Sequence, residues 1–311
     1  MDIKFLRYFP ESIAKSLQHT AALYGDSVDE IRMYKTGKIV LVMCGKNVHT
    51  SVSCTEAIFR ETVGNLCGHS LYAHEESIRQ GYIFTQDGIR VGVAGQAVCR
   101  GDIVERITEL TSLCIRIPRR FPGTSDDIYS RAVSAGVPTS VLVFSSPGVG
   151  KTTALRELAD CLAKTAYRVA LVDTRYELGY GLNNEYIDIF KGYPRSFGME
   201  TAIRVMNPQF VICDEISTDA DAKAVLQCAS SGVAVIASAH GGSLTDLCRQ
   251  PAIKTLLEHD AFHTLVRLHR NGGQLVHTFY DKREGYWRDA DNGSGAVAGC
   301  GYGCGDSAAE G

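Results

Sequence analysis

No apolar run in the 311-residue sequence approaches the length of a membrane span. Its first residues, Met1-Asp2-Ile3-Lys4-Phe5-Leu6-Arg7, lack the apolar core of a secretory signal. Both absences point to a cytoplasmic location, which still permits docking on a membrane partner. No Cys-x-x-Cys pair occurs among the eleven cysteines, so neither a metal site nor a disulfide framework is indicated. Cys44, Cys54, Cys67, Cys99, Cys114, Cys161, Cys213, Cys228 and Cys248 are scattered, several within apolar segments such as Val211-Ile212-Cys213. They read as buried, reduced thiols that behave as small hydrophobes. Cys300 and Cys304 have no second ligand pair nearby and read as tail residues. There is no strong excess of either charge: the net charge is −3, with no dense Lys/Arg tract. That balance gives no global attraction to nucleic acid or anionic lipid and weighs against a nucleic-acid motor. What is present, 45% apolar and 22% charged residues, is ordinary for a soluble globular chain long enough for two domains.

Residues 1–123 read as a smaller α+β domain. Helices are expected over Pro10–Gln18, Thr55–Leu66 and Leu71–Arg79. Strands are expected over Glu30–Tyr34, Lys38–Met43, Tyr82–Phe84, Ile89–Val93 and Leu113–Ile117, with turns at Thr36-Gly37 and Asp87-Gly88. Pro118, Pro122 and Gly123 mark a linker. Over residues 124–288 the apolar strands Val141–Phe144, Val169–Val172, Phe210–Cys213 and Val233–Ala237 alternate with helical segments. Such alternation implies α/β architecture, a parallel sheet covered on both faces. Thr264–His269 and Leu275–Tyr280 add a hairpin around Asn271-Gly272-Gly273. Residues 289–311 hold seven Gly, four acidic residues and no Lys or Arg, and read as a disordered acidic tail.

The strand Val141–Phe144 runs into Ser145-Ser146-Pro147-Gly148-Val149-Gly150-Lys151-Thr152-Thr153, and a helix follows. Strand, glycine-containing loop and helix N-terminus together make a phosphate-binding loop, because loop amides and the helix end point at anionic oxygens. Ser146 to Thr153 are therefore the candidate ATP-binding residues. Lys151 supplies charge for the β- and γ-phosphates, and Thr152 offers its hydroxyl to Mg²⁺. Ser145 stands where the usual pattern has its first glycine; a modest geometric adjustment is expected rather than loss of binding.

In an open parallel sheet functional groups collect at the carboxyl ends of strands. Phe210–Cys213 ends in Asp214-Glu215, which places Asp214 to hold Mg²⁺ and Glu215 to act as general base on the attacking water. Val169–Val172 ends in Asp173-Thr174-Arg175-Tyr176-Glu177. Two readings fit that segment: carboxylates reaching the metal or γ-phosphate, with Arg175 pairing to them or to phosphate, or a solvated loop with local ion pairs. His240-Gly241-Gly242 ends a third strand. His240 is either a nucleotide-sensing hydrogen-bond partner or a structural histidine.

Four segments carry a resemblance in order: Pro147–Thr153, Val172–Glu177, Met206–Ile216 and Ser231–Gly241. The chain resembles the stage III sporulation protein AA family of endospore-forming bacteria and, more widely, the type II and type IV secretion ATPases. Glu30-Ile31-Arg32, Glu76–Tyr82 and Gly88–Gly95 extend the resemblance into the N-terminal region and favour the sporulation branch. The resemblance implies a RecA-like P-loop ATPase domain and catalytic roles for Asp173 and His240 beside Glu215. It also implies a hexameric ring in which an N-terminal domain packs over a neighbour's nucleotide, working with membrane-embedded sporulation or secretion partners. Arg90, Arg116, Arg119 and Arg120 are the candidates for an arginine acting between subunits. A nucleotide-gated scaffold with little turnover is the alternative reading.

Overall fold

The register of the β-strands divides the chain at one place. In a computed structural model that describes residues 3–23, 28–43, 45–86, 88–117, 125–272, 274–283, 285–290 and 297–298, two units emerge, Met1–Arg119 and Arg120–Gly311. Residues 118–124, where the linker is expected, and Asp87 of the expected turn lie outside the described residues.

The first unit begins with a 3₁₀ turn, Ile3–Tyr8, and α1, Glu11–Leu23. Ile13, Leu17, Thr20 and Ala21 recur at helical spacing along α1 and are its buried face. The strands β1 (Val28–Tyr34), β2 (Gly37–Met43) and β3 (Lys46–Cys54) form a meander. Helix α2 (Glu56–Leu66) follows, its first turn closed by the Thr55 hydroxyl accepting from the Ile58 amide at 3.4 Å. The expected Leu71–Arg79 helix is instead a 3₁₀ turn, Tyr72–His74, and the short α3, Glu75–Arg79. Of its residues only Ile78 is buried, too little apolar surface to organise a longer amphipathic helix. β4 (Tyr82–Phe84), β5 (Arg90–Arg100) and β6 (Ile103–Arg116) complete a six-stranded antiparallel sheet in the order β3-β2-β1-β6-β5-β4.

Two features exceed the sequence reading. β3 has no clear sequence signature, because its alternation is carried by Val48, Thr50 and Val52 among polar residues. The β5–β6 hairpin runs far beyond the expected Ile89–Val93 and Leu113–Ile117. β1 pairs with β6 only through Ser112 to Arg116, and β4 with β5 only through Arg90 to Gly92. The outer part is a two-stranded ribbon, largely exposed, with three register shifts and a turn at Gly101. Exposed strands lack the buried alternation from which strands are read.

The second unit opens with α4 (Asp126–Ala132) and the small hairpin β7 (Val133–Ser134) and β8 (Val137–Pro138). β9 (Val141–Ser145), α5 (Lys151–Lys164), β10 (Val169–Asp173), β11 (Ile187–Lys191), α6 (Arg195–Val205), β12 (Phe210–Cys213), α7 (Asp219–Ser230) and β13 (Ala234–His240) then alternate. The short helices α8 (Leu244–Cys248) and α9 (Pro251–Glu258) precede β14 (Thr264–Asn271), β15 (Gln274–Arg283), β16 (Tyr286–Asp289) and β17 (Val297–Ala298). The sheet order is β11-β10-β12-β13-β9-β14-β15-β16-β17. Pairing is parallel from β11 to β14 and antiparallel from there outward.

Both faces of this sheet are covered, and β9 shows why its sequence is apolar without alternation. Leu142 and Phe144 enter one core with α6, α7 and α9, while Val141 and Val143 enter the other with Ala154, Leu155 and Leu158 of α5. The expected tail begins too early. β16 runs through Asp289, the Ala290 amide donates to the Phe279 carbonyl at 2.8 Å, and β17 pairs with β16. Trp287, fully buried, is what anchors this edge. The rest of the expected tail, with Cys300 and Cys304, lies outside the described residues, as does Cys44. The described cysteines are free thiols. Burial pushes Cys54 and Cys67 up to about 11 and Cys228 to about 12, which keeps them protonated and unreactive; Cys99, on the ribbon, is exposed.

Candidate active site

β9 delivers the chain at Ser145 to a loop that reverses into α5. Gly148 (φ +76°) and Gly150 (φ +128°) take left-handed conformations that a side chain would strain. Gly150 caps α5 without a side-chain hydrogen bond, so the amides of the helix's first turn face the loop interior. Lys151 is buried. Its ammonium donates to the Ser145 carbonyl (3.1 Å), the Ser145 hydroxyl (3.3 Å) and the Ser146 carbonyl (3.5 Å). Burial pulls its pKa down, and the nearby Asp214 and Glu215 carboxylates oppose that shift. Ser145 therefore does more than tolerate its position. Its hydroxyl, which donates to the Ser146 carbonyl at 2.8 Å, is one of the groups that hold Lys151.

Across from the loop, β12 ends beside β13, which lies between it and β9. The Thr152 hydroxyl donates to Asp214 Oδ2 at 2.7 Å. Asp214 Oδ1 accepts from the Ser238 hydroxyl of β13. Glu215 adopts φ +61°, a conformation of order 1 kcal/mol or more above the ordinary regions for a residue with a side chain. Ser238 holds that bend from both of its polar ends. Its hydroxyl accepts from the Glu215 amide at 2.9 Å, and its carbonyl from the Ile216 amide at 2.8 Å.

The Glu215 carboxylate is bonded on both oxygens. Oε1 meets Nε2 of His240, and Oε2 pairs with the Arg175 guanidinium. His240 Nδ1 lies 3.3 Å from the Lys151 ammonium. An ammonium only donates and a carboxylate only accepts. One neutral tautomer, with the proton on Nε2, satisfies both neighbours. The His240 carbonyl in turn accepts from the Gln250 side chain.

Asp173 sits at the end of β10 and is buried, but its carboxylate is turned into its own loop. Oδ1 accepts from the Glu177 amide and Oδ2 from the Gly179 amide, both at 2.8 Å. Its carbonyl accepts from the Gly192 amide at 2.9 Å. The structure thus brings Lys151, Thr152, Asp214, Glu215 and His240 into one connected set, and gives Asp173 the task of folding the loop that carries Arg175. Arg90 and Arg116 belong to the first unit; Arg119 and Arg120 lie outside the described residues.

Two residues that contact this set are not singled out by the sequence. Ser238 is a fully buried hydroxyl inside the apolar run Val235–Ala239, and a buried hydroxyl needs partners. Arg195 opens α6, where a cation opposes the helix dipole, so a specific partner is to be looked for. It has two. Nε donates to the Asp214 carbonyl at 2.5 Å, and Nη1 pairs with Asp221 at 2.7 Å. Asp221 also accepts from the Ser217 (3.2 Å) and Thr218 (3.1 Å) amides, completing a capping box at the start of α7.

Comparison with known proteins agrees with this architecture. The family model for "Sporulation stage III, protein AA" matches residues 3–286. The stage III sporulation protein AA of Bacillus subtilis is 30% identical over 287 residues, spanning 88% of this chain and 93% of that protein. Among solved structures, the Legionella pneumophila ATPase DotB superposes with a TM-score of 0.58 at 14% identity, over 92% of this chain and 82% of DotB. The pilus retraction motor PilT, solved with bound ADP, gives a TM-score of 0.58 at 15% identity, over 85% of this chain and 81% of PilT. At those identities the likeness is one of fold.

Proposed function

The chain belongs to the sporulation stage III, protein AA family, whose member here has the α/β fold of secretion ATPases, and on that premise we propose that it is a Mg²⁺-dependent ATPase. The observation that carries the reading is the contact between Thr152, first turn of the loop-borne helix, and Asp214, with Glu215 beside it. A hydroxyl and a carboxylate oxygen in contact are the hard oxygen donors that Mg²⁺ selects, so these residues fit the ion. Bound there, Mg²⁺ would neutralise charge on the β- and γ-phosphates.

The chain's own groups supply the rest. The loop amides and Lys151 bind the phosphates and fix the terminal phosphorus in line with a water. Glu215 accepts the proton of that water as its oxygen bonds to phosphorus and the bond to the diphosphate oxygen breaks. His240, held in one tautomer by Lys151, aims the Glu215 carboxylate. Ser238 fixes the backbone on which that carboxylate stands, and Asp173 acts as a positioning residue for the neighbouring loop. Catalysis of this kind rests on position and charge rather than covalent chemistry.

In this reading the working form is a homo-hexameric ring coupled to a membrane-embedded sporulation partner. The fold shared with secretion ATPases supports it, and no described helix is long and apolar enough to cross a membrane, so the association would be peripheral. Phosphate release by the purified chain tests the activity. Lys151→Ala is expected to abolish tight ATP binding. Glu215→Gln is expected to keep binding and stop turnover; turnover at the wild-type rate would move the base elsewhere.

A further inference from the structure

Glu215 cannot serve as an efficient base while it is held as the structure shows it. A carboxylate takes a proton from water through a free oxygen, and both oxygens of Glu215 are already engaged. Arg175 engages Oε2. His240 on Oε1 is itself tied down, by Lys151 at Nδ1 and by Gln250 at its carbonyl. Arg175 has no other side-chain partner among the described residues, and its side chain is 57% exposed. Of the two groups on Glu215, Arg175 is the one that can leave.

The loop that carries it decides where it goes. Asp173 ties the amides of Glu177 and Gly179 to the end of β10, so Arg175 projects from an anchored turn at the carboxyl edge of the parallel sheet. β9 and β12 present Lys151 and Glu215 at that same edge. An arginine that releases Glu215 there meets the outermost phosphate of a nucleotide on the loop. Its planar donor fork suits phosphate oxygens as well as it suits the carboxylate.

We infer that Arg175 recognises the terminal phosphate of a nucleoside triphosphate, exchanging Glu215 for it, so that the base is released only when a triphosphate is bound. The inference rests on the nucleotide-site reading above and adds a discriminating residue to it. A diphosphate has nothing to draw Arg175 away, so affinity for it should not depend on this side chain.

Equilibrium binding of ADP and of β,γ-imido-ATP to the full-length chain with Mg²⁺, measured by calorimetry, tests it. Arg175→Ala should weaken the triphosphate analogue about tenfold, the loss of one charge-assisted contact, and leave ADP within about twofold. Arg175 is exposed, so the variant should fold. Glu215→Gln frees the guanidinium and should tighten the analogue relative to ADP, by a larger factor with Arg175 intact than in the Arg175→Ala background. Equal losses for both nucleotides in Arg175→Ala, or equal gains from Glu215→Gln in both backgrounds, would overturn the inference and leave the nucleotide site standing. A wild-type chain that binds neither nucleotide would overturn both.

Discussion

Replacing Arg195 by Met removes a buried cation from the elbow that leads β12 into α7, and its cost follows from the contacts. The side chains of Arg195 and Asp221 retain only 13% and 5% of their exposure. Removing one member of a buried pair strands the other charge and costs about 3–5 kcal/mol. Asp221 keeps its two backbone donors from Ser217 and Thr218, which places the expected loss at the lower end, about 3 kcal/mol. For a domain of this size each kcal/mol moves Tm by roughly 2–4 °C, so the shift should be about 6–12 °C. Arg195→Lys should recover only part of this, because a lysine cannot address the Asp214 carbonyl and the Asp221 carboxylate with one rigid fork. A pair on the surface provides the control. Lys254 and Glu258 lie 3.9 Å apart and are well exposed, and Lys254→Met should change stability by no more than about 0.5 kcal/mol. Calorimetric unfolding of the three variants reads these magnitudes, with nucleotide binding as a check that the loop side of the site is intact. An Arg195→Met variant as stable as Lys254→Met would refute the reasoning, since it would mean that the pair contributes nothing beyond a surface contact.

Ser238→Ala removes the hydroxyl that serves both the Glu215 amide and Asp214; kcat for ATP is expected to fall at least about tenfold with ADP affinity nearly unchanged, measured by phosphate release and titration. Lys151 has its pKa lowered by burial from the usual 10.5. The unfolded chain therefore holds more protons between the lowered value and 10.5, and stability should rise with pH across that window. Denaturant titrations at alkaline pH should show that component in the wild type and its loss in Lys151→Met. Truncation after Ala298 should leave Tm and turnover unchanged. Truncation after Arg288 should lower Tm, because it removes Asp289 from β16 and the Ala290–Phe279 hydrogen bond.

Much of the second unit was legible because its physics is local. Val141–Phe144, Val169–Val172, Phe210–Cys213 and Val233–Ala237 are buried, and runs of four or five consecutive apolar residues between turns suit strands covered on both faces. β11 and β16 were not legible for the opposite reason. Each lies toward an edge of the sheet and is only partly buried, and Ile187-Asp188-Ile189-Phe190-Lys191 offers two apolar positions and a charge per face at best. The ribbon of β5 and β6 is the extreme case: its pairing partner is the only thing that makes it a strand, and pairing is not written in either arm alone.

The site divides along the same line. Lys151, Thr152, Asp214 and Glu215 are readable because their chemistry depends on their order along the chain, each at a strand end or loop that sequence locates. Asp173 shows where that logic stops. A carboxylate at the end of a parallel strand can point at a ligand or fold back on the next turn, and the choice depends on whether downstream amides reach it. Here the backbone of Glu177 and Gly179 does, and a Cβ at Gly179 would come within 3.2 Å of Asp173 Oδ2. The close approach of backbone to carboxylate is what the glycine permits. The acid's charge is thus spent on shaping the turn, and it is the turn's own arginine, not its acids, that reaches Glu215. The strand-end rule points to this loop; which of its charged residues meets Glu215 is decided by backbone hydrogen bonds that leave no periodic mark in the sequence.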